Sequence, residues 1–318
     1  MTASTATIAS LRDIRFGVEV EFTGASRDKV AEAVAFECQG RVAYEGGYYS
    51  KIAIVMPDGR KWTVMTDASV SGSHSNRGGE LVTPIMTYGD LDLIQRVIRA
   101  VRKSRGAGEN QHPKGAGAKV DASCGIHIHV DGANFTSGQQ VSNLVGVVNK
   151  QQNLICNALK IQADRRARWC QDISPELLRR IQNDRPSTLE EVRAVWYSSH
   201  GENPDYAVRE HYARSRYHGV NIHSLFFRGT VEFRWFEASL HAGEVKAYIQ
   251  FILALTYKAL TMRRPANATP RVSNPDNTKW EFRVFLKDLG LVGEEFETCR
   301  FHMLKNLAGS SRTRIARD

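Results

Sequence analysis

Two histidines one residue apart, His127 and His129, lie in the stretch CGIHIHVDG at residues 124–132. Side chains alternate across a β-strand, so both imidazoles and Asp131 are expected on one face, opposite isoleucine and valine. A solvated strand face usually carries Lys, Thr or Glu, and paired imidazoles therefore indicate a candidate site. On this stretch alone, an ordinary solvated face without a function stays open.

Three further strand-like segments place charged side chains opposite or beside an apolar face. Glu19 and Glu21 share one face of IRFGVEVEF. Glu232 and Arg234 share one face of GTVEFRWFEA, and Glu80 follows two glycines in GGELVTPIM. If the apolar faces pack on helices, the polar faces are expected to converge on one concave surface.

Converging carboxylates favour a bound cation. Two carboxylates about 7 Å apart repel by roughly 2 kcal/mol at an effective dielectric constant near 20. Carboxylate oxygens mixed with imidazole suit Mg²⁺ or Mn²⁺ better than Zn²⁺, which prefers His and Cys. Arg234 cannot ligate a metal, but its guanidinium suits a phosphate. Together these groups indicate phosphoryl transfer from a nucleotide.

The charged pairs also have interpretations without a function. Glu19 and Glu21 could be ordinary outward-facing strand residues. Glu232 and Arg234 could be a cross-strand salt-bridge pair worth under about 1 kcal/mol. The case for a site depends on several strands showing the same arrangement.

The remaining histidines and the cysteines give weaker signals. The five cysteines are scattered, odd in number and without CxxC spacing, which predicts a reducing cytoplasm and neither a disulfide framework nor a thiolate zinc site. The alternation of side chains along the strand places Cys124 on the same buried face as Ile126, so we predict that it is a core residue. His218, His223 and His241 have no partner spacing that singles them out, and we interpret them as structural.

Composition limits the class of protein and of partner. A chain of 318 residues with 42% hydrophobic content can bury one large core or two small ones. The net charge of +9 suits an anionic partner such as nucleotide phosphates, an acidic substrate or nucleic acid. The arginine-rich stretches lack interleaved aromatic residues, which makes nucleic acid the less favoured partner.

From the sequence we expect neither a membrane-spanning segment nor a secretory signal. No segment approaches the roughly 20 apolar residues that a membrane span needs. The first residues, MTASTATIASLRD, lack a basic start followed by an apolar run. We therefore expect a cytoplasmic protein with no membrane partner, and the sequence leaves its oligomeric state open.

The elements that must position these residues are strands and helices in irregular order. Strands are predicted in IRFGVEVEF, YYSKIAIVM, KWTVMTD, GGELVTPIM, CGIHIHV, YHGVNIHSLFF and GTVEFRWFEA. Helices are predicted at about 26–38, 89–105, 137–163, 174–183, 187–198 and 241–262, and loops at 104–123 and 263–279. The pattern indicates an α+β fold with an antiparallel sheet and helices on one face.

The stretches GVEVEF, GGELVTP, CGIHIHV, SRYHGVN and TVEFRWFEASL, in that order, resemble the putative amidoligase family over roughly residues 12–260. That family belongs to the glutamine synthetase and glutamate–cysteine ligase superfamily of carboxylate–amine ligases. The resemblance implies a glutamine synthetase-like catalytic fold, in which a curved antiparallel sheet forms an active-site trough. It also implies ATP, two or three Mg²⁺ or Mn²⁺ ions and an acyl-phosphate intermediate. We expect a catalytic domain at 12–262, with a loop and a small helical segment at 263–318.

The resemblance further implies metal-ligating and nucleotide-binding residues. Four glutamates match the family's metal ligands: Glu19, Glu21, Glu80 and Glu232. His127 comes first in its motif and resembles the histidine beside the metal at the γ-phosphate. His129 is the other candidate for contact with the nucleotide.

Arginines and substrate-contacting residues follow from the same resemblance. Arg234 resembles the arginine that faces the transferred phosphate, and Glu232 precedes it in the catalytic motif. Arg216 and Asn221 match an arginine–asparagine stretch that contacts phosphate or substrate. Asp67 resembles the family's aspartate before the Glu80 motif, and we expect it to contact the substrate amine. The chain offers no counterpart to the loop glutamate that shields the intermediate in glutamine synthetase, so the amine-activating base is open.

The leading hypothesis is an ATP-dependent ligase that joins a carboxylate substrate to an amine substrate. Either substrate could be a small molecule, a peptide or a protein. One alternative is a guanidino-kinase-like phosphotransferase, and another is a metal-dependent hydrolase built on the histidine pair. A non-catalytic, basic nucleic-acid-binding protein is the alternative from a different class.

Overall fold

The structure is a computed structural model, and it describes residues 10–263, 269–271 and 273–314. Within these ranges ten strands lie at Phe16–Thr23 (β1), Arg41–Gly46 (β2), Lys51–Val55 (β3), Lys61–Met65 (β4), Gly78–Val82 (β5), Ser104–Arg105 (β6), Gln111–His112 (β7), Gly125–Asp131 (β8), Val220–Asn221 (β9) and Thr230–Glu237 (β10). The helices are Arg27–Cys38 (α1), Leu91–Arg102 (α2), Gly138–Leu159 (α3), Ala163–Arg168 (α4), Pro175–Asp184 (α5), Leu189–Ser199 (α6), Pro204–Ala207 (α7), His223–Phe227 (α8), Ala242–Thr261 (α9), Thr278–Asp288 (α10) and Glu297–Leu304 (α11).

The chain divides into two compact units. The β unit consists of Arg15–Ile128 and Phe236–Ile249. The α unit consists of His129–Trp235 with the described residues of Met1–Ile14 and Gln250–Asp318.

Six strands pair in the β unit, in the order β2-β3-β4-β5-β1-β8. The pairings that run from β2 to β1 are antiparallel. β1 buries Val18, Val20 and Phe22 on one face and places Glu19 and Glu21 on the other. The alternation of side chains across a strand produces this division.

Two helices cover the apolar side of strands in the β unit. α1 packs on β3, β4 and β5, and α2 packs on α1. α1 begins after Ser26, whose side chain accepts a hydrogen bond from the Lys29 N–H, and ends at Gln39 with a left-handed φ of 54°. α2 buries a stripe with helical spacing: Leu91, Ile94, Val97, Ile98 and Val101.

The α unit is built around α3. This long helix packs against α5, α6, α10 and α11. Phe251 of α9 meets Phe282 and Phe285 of α10, with ring centroids 6.1 and 6.3 Å away. The strand order here is β8-β10-β9, and the antiparallel pairing of β9 with β10 sets Asn221 opposite Glu232.

The structure confirms an α+β fold with a large antiparallel sheet and corrects two sequence-based expectations. The strand predicted over YHGVNIHSLFF is wrong beyond Asn221, because the side-chain oxygen of Asn221 accepts the Ser224 N–H and the chain turns into α8. β2 was not predicted, because its side chains are half-buried or exposed and give no apolar run. The trough shape and the likeness to glutamine synthetase stay predictions.

Two further expectations concern cysteines and membranes. All five cysteines are free and buried, and Cys124 is 1% exposed, as its strand parity predicts. Within the described part of the chain, no helix is both long and apolar enough to cross a membrane.

Gly219 makes a close approach that leads to a stability prediction. A Cβ at this position would lie 1.8 Å from Nε1 of the buried Trp235, and the Gly219 carbonyl accepts the N–H of Arg234. We expect Gly219→Ala to lower the free energy of unfolding by about 1–3 kcal/mol, because the added methyl overpacks the core. Urea denaturation measures this change.

The matched control is Gly17→Ala, where the nearest atom to an added Cβ is Oγ1 of Thr83 at 3.8 Å. Alanine in a strand interior is favoured over glycine by about 0.5–1 kcal/mol, so this variant should be as stable as the wild type or more so. Equal stability of the two alanine variants would contradict the close packing of Gly219 on Trp235.

Candidate functional site

The carboxylates of the β unit lie on adjacent strands. The antiparallel register of β1 with β5 sets Glu21 directly opposite Glu80. Each of these two residues is 5% exposed. Glu19 lies two residues before Glu21 on the same strand and therefore on the same face. Three acidic side chains are thus close together, two of them buried and Glu19 half-buried.

The pKa of Glu80 reflects the burial of this residue and the repulsion among neighbouring carboxylates. Burial raises the pKa of Glu80 well above its ordinary value, and the negative charges of Glu19, Asp67 and Glu21 raise it further. Glu80 also hydrogen-bonds to the side chain of Glu19. Two adjacent carboxylates that are poorly solvated do not readily both ionise, and this is the physical reason why the pKa of Glu80 is raised.

β8 adds an imidazole and a backbone donor to the same group. His127 Nδ1 lies 3.2 Å from Oε2 of Glu19. The Gly125 N–H donates to Oε2 of Glu21 at 2.5 Å, which fixes that carboxylate on the strand. The sequence-predicted residues Glu19, Glu21 and His127 are therefore brought together by contacts between side chains and backbone of β1 and β8.

Asp67 lies in the turn after β4 and acts on the group through its charge. Its Oδ1 accepts the Ser69 N–H at 2.7 Å, and its own N–H donates to Ser73 Oγ at 3.1 Å. These bonds hold the carboxylate in the turn. Asp67 raises the pKa of Glu80 by its negative charge, so it lies within electrostatic range of the buried group.

In the α unit, Glu232 and Arg234 form a buried ion pair, with 3% and 5% of each residue exposed. Asn221 Nδ2 donates to Oε2 of Glu232 at 2.6 Å. Arg234 Nε donates to the carbonyl of Trp169 at 3.2 Å. The salt bridge considered from the sequence therefore forms, but its two residues belong to one strand and are shielded from water, so it is not a cross-strand pair.

His129 approaches this pair from β8. Its Nδ1 lies 3.0 Å from Oγ1 of Thr230, and its Nε2 lies 4.0 Å from Oε1 of Glu232. Ser224 Oγ lies 3.0 Å from Oγ1 of Thr230. Thr230 therefore orients His129. The sequence analysis missed Thr230, although it shares the strand parity of Glu232 and could have been found by that signal.

Arg216 is half-buried among aromatic residues. Its Nη1 donates to the His211 carbonyl at 2.9 Å, and its guanidinium carbon lies 5.4 and 5.6 Å from the ring centroids of Tyr212 and Tyr217. Burial lowers the pKa of Arg216, the Glu232 charge opposes this and other cations add to it. The cation–π contacts partly replace the hydration that the cation has lost.

The donor atoms of the β unit fit a divalent cation of the Mg²⁺ or Mn²⁺ type. The carboxylates of Glu19, Glu21 and Glu80 supply hard oxygen ligands, and His127 supplies one nitrogen. The negative charges of Glu19, Asp67 and Glu21 raise the pKa of Glu80, so a bound cation would relieve their mutual repulsion. In the α unit, Arg234 and Arg216 instead offer positive charge suited to phosphate or carboxylate oxygens.

A comparison with protein families covers most of the chain. The family model described as "putative amidoligase enzyme" matches residues 12–256. No curated protein matches the sequence. The matched segment includes every residue of the two groups described above and agrees with the motifs that the sequence analysis identified. The chain therefore belongs to the putative amidoligase family.

Proposed function

We propose that this protein is an ATP-dependent ligase that forms an amide bond between a carboxylate substrate and an amine substrate. The family indicates a ligase activity. The observation that carries the finer proposal is the carboxylate group of Glu19, Glu21 and Glu80, in which burial and the neighbouring negative charges raise the pKa of Glu80 well above its ordinary value. Such a group is suited to divalent ions, and divalent ions suit a nucleotide triphosphate.

Residues of the β unit would hold the metal. Glu19, Glu21 and Glu80 provide oxygen ligands, with His127 as the nitrogen ligand. When bound, Mg²⁺ or Mn²⁺ would neutralise charge on the phosphate oxygens. Gly125 orients Glu21 through its N–H, so that carboxylate needs little rearrangement to bind a cation.

Residues of the α unit would act on the transferred phosphoryl group and the acid. Arg234 is aligned by Glu232 and by the Trp169 carbonyl, which holds its guanidinium in one orientation. Arg216 is held by Tyr212 and Tyr217 and adds a second positive charge. We assign Glu232, Arg234 and Arg216 to catalysis, His129 to nucleotide contact, and Asn221 with Asp67 to substrate contact.

The proposed reaction has two steps. A carboxylate oxygen of the acid attacks the γ-phosphorus, the bond to the β,γ-bridging oxygen breaks, and ADP leaves. The amine nitrogen then attacks the acyl carbon, inorganic phosphate leaves, and the amine loses a proton. Positive charge at Arg234 stabilises the transferred phosphoryl oxygens in the first step.

We propose a glutamine synthetase-like trough within a catalytic domain at residues 12–262, in a cytoplasmic protein. The five free, buried cysteines support a reducing compartment. The net charge of +9 supports acidic substrates and nucleotide phosphates as ligands.

Isotope labelling tests the reaction class. A screen for ADP release across amino acids, polyamines and peptides first finds the substrates, and the active acid is then labelled with ¹⁸O in its carboxylate. We expect Mg²⁺- or Mn²⁺-dependent ADP release, an amide product and one ¹⁸O in inorganic phosphate, because the acid oxygen leaves with the phosphoryl group. Mass spectrometry measures the label.

Two results of the labelling experiment would contradict the proposal. AMP and pyrophosphate as products would mean attack at the α-phosphate and exclude the acyl phosphate. A stable phosphorylated product with unlabelled phosphate would favour the guanidino-kinase-like phosphotransferase instead.

Glu80→Gln tests whether the buried carboxylates serve a cation. The glutamine amide can donate to Glu19 as the protonated Glu80 does, so stability without metal should be unchanged or higher. In the wild type, Mg²⁺-nucleotide at about a hundredfold over its Kd should add about 2.7 kcal/mol to the free energy of unfolding. The variant should lose most of this gain together with its activity. Thermal melts with and without ligand measure both effects.

Glu232→Gln is the matched control, since it removes a buried carboxylate that already has a cationic partner. Losing one partner of a buried ion pair costs about 3–5 kcal/mol, so this variant should be destabilised without ligand. If Glu80→Gln behaved in the same way, and kept its stabilisation by nucleotide, the carboxylates of the β unit would have a structural role only.

The raised pKa of Glu80 also predicts a pH dependence in the presence of a chelator. The folded protein keeps a proton that the unfolded chain releases above the ordinary pKa of 4.5. Stability should therefore fall as pH rises from there through the raised pKa of the folded state. Glu80→Gln should lack this decline. Chemical denaturation at several pH values measures the difference, and parallel curves for the two proteins would contradict it.

A further inference from the structure

Two histidines of the α unit face each other through the same ring nitrogen. His200 Nε2 lies 3.2 Å from His218 Nε2. His200 follows the last residue of α6, and His218 lies two residues before β9. They are 18 positions apart in the sequence, so local spacing gives no indication of this contact.

Backbone carbonyls determine the protonation of both rings. Nδ1 of His200 lies 2.6 Å from the Trp196 carbonyl, and Nδ1 of His218 lies 2.9 Å from the Ser215 carbonyl. A carbonyl oxygen only accepts hydrogen bonds, so each Nδ1 carries the ring proton. In the neutral rings both Nε2 atoms are then acceptors, although they lie only 3.2 Å apart.

Such a contact is stabilised by a cation between the two nitrogens. A histidine that ligates a metal usually donates its other N–H to a carbonyl or carboxylate, as both rings do here. Two imidazole nitrogens bound to one tetrahedral Zn²⁺ at about 2.05 Å lie about 3.3 Å apart. The observed 3.2 Å therefore matches the separation of two ligands on a single late transition-metal ion.

Burial favours the neutral form of both histidine rings, and the side chains of Trp196 and Glu202 act on both of them. Burial, and then the neighbouring His200, lowers the pKa of His218 to about 4, so its Nε2 is unprotonated at neutral pH. Trp196 packs on both rings, with centroids 4.6 and 5.4 Å away. Glu202 acts electrostatically on both histidines, and its Oε2 is buried without a hydrogen-bond partner among the described residues.

We propose that His200 and His218 bind one divalent transition-metal ion of the Zn²⁺, Co²⁺ or Ni²⁺ class through their Nε2 atoms. Nitrogen ligands distinguish this site from the oxygen-rich group of the β unit, because Mg²⁺ prefers oxygen. The ion would tie the end of α6 to the chain that enters β9. Glu202 supplies negative charge near the ion, while Oε1 of Glu202 accepts the Arg214 N–H.

Titration of the metal-free, full-length protein with Co²⁺ in excess Mg²⁺ tests this site. We expect one Co²⁺ per chain, with visible absorption bands that Zn²⁺ abolishes, and a higher melting temperature on binding. His218→Gln and His200→Gln should each weaken binding by at least about tenfold, because each removes a ligand. Circular dichroism checks folding, and His200→Gln carries the test if His218→Gln does not fold.

His129→Gln is the control, because it removes the imidazole beside Glu232 and leaves both Nε2 ligands in place. It should bind Co²⁺ as the wild type does. The proposal is overturned if Co²⁺ binding is lost in His129→Gln but kept in His218→Gln. It is also overturned if the wild type binds no Co²⁺ at millimolar concentrations, since the two nitrogens would then share only a proton.

Discussion

The register of β1 against β5 is the constraint on which the candidate site depends. It sets Glu21 opposite Glu80 with only 5% of either residue exposed, so two acids share a poorly solvated position. A shift of one residue would turn every side chain of β1 to the other face and bury the glutamates against the helices. The apolar contacts of Val18, Val20 and Phe22 therefore fix the carboxylates indirectly.

Buried negative charge is handled in two different ways in this protein. In the β unit, burial and the neighbouring carboxylates raise the pKa of Glu80, and backbone and imidazole groups contact the other carboxylates. In the α unit, Glu232 is neutralised by Arg234 and receives a hydrogen bond from Asn221. The first arrangement concentrates oxygen and nitrogen atoms that suit a divalent cation, whereas the second presents an aligned guanidinium.

The amphipathic helices and the main strands could be predicted because their patterns are local. α2 shows apolar residues at helical spacing, and β8 alternates isoleucine and valine with histidine. The strand expected after Asn221 was wrong because one side-chain hydrogen bond to Ser224 starts a turn that no periodicity reveals. β2 was not predicted because its side chains are largely exposed. Such a strand does not need to alternate apolar and polar residues, and that alternation is the signal by which strands are predicted.

The sequence by itself determined which candidate residues share a strand face and which family the motifs resemble, because side-chain alternation and motif order are properties of the chain alone. Only the tertiary structure decided the partners. His127 meets Glu19, whereas His129, on the same face of the same strand, meets Thr230. The contact between His200 and His218 likewise arises from the packing of separate segments. Such pairings depend on strand register and on the path of the loops in the folded protein, and residue spacing along the chain specifies neither.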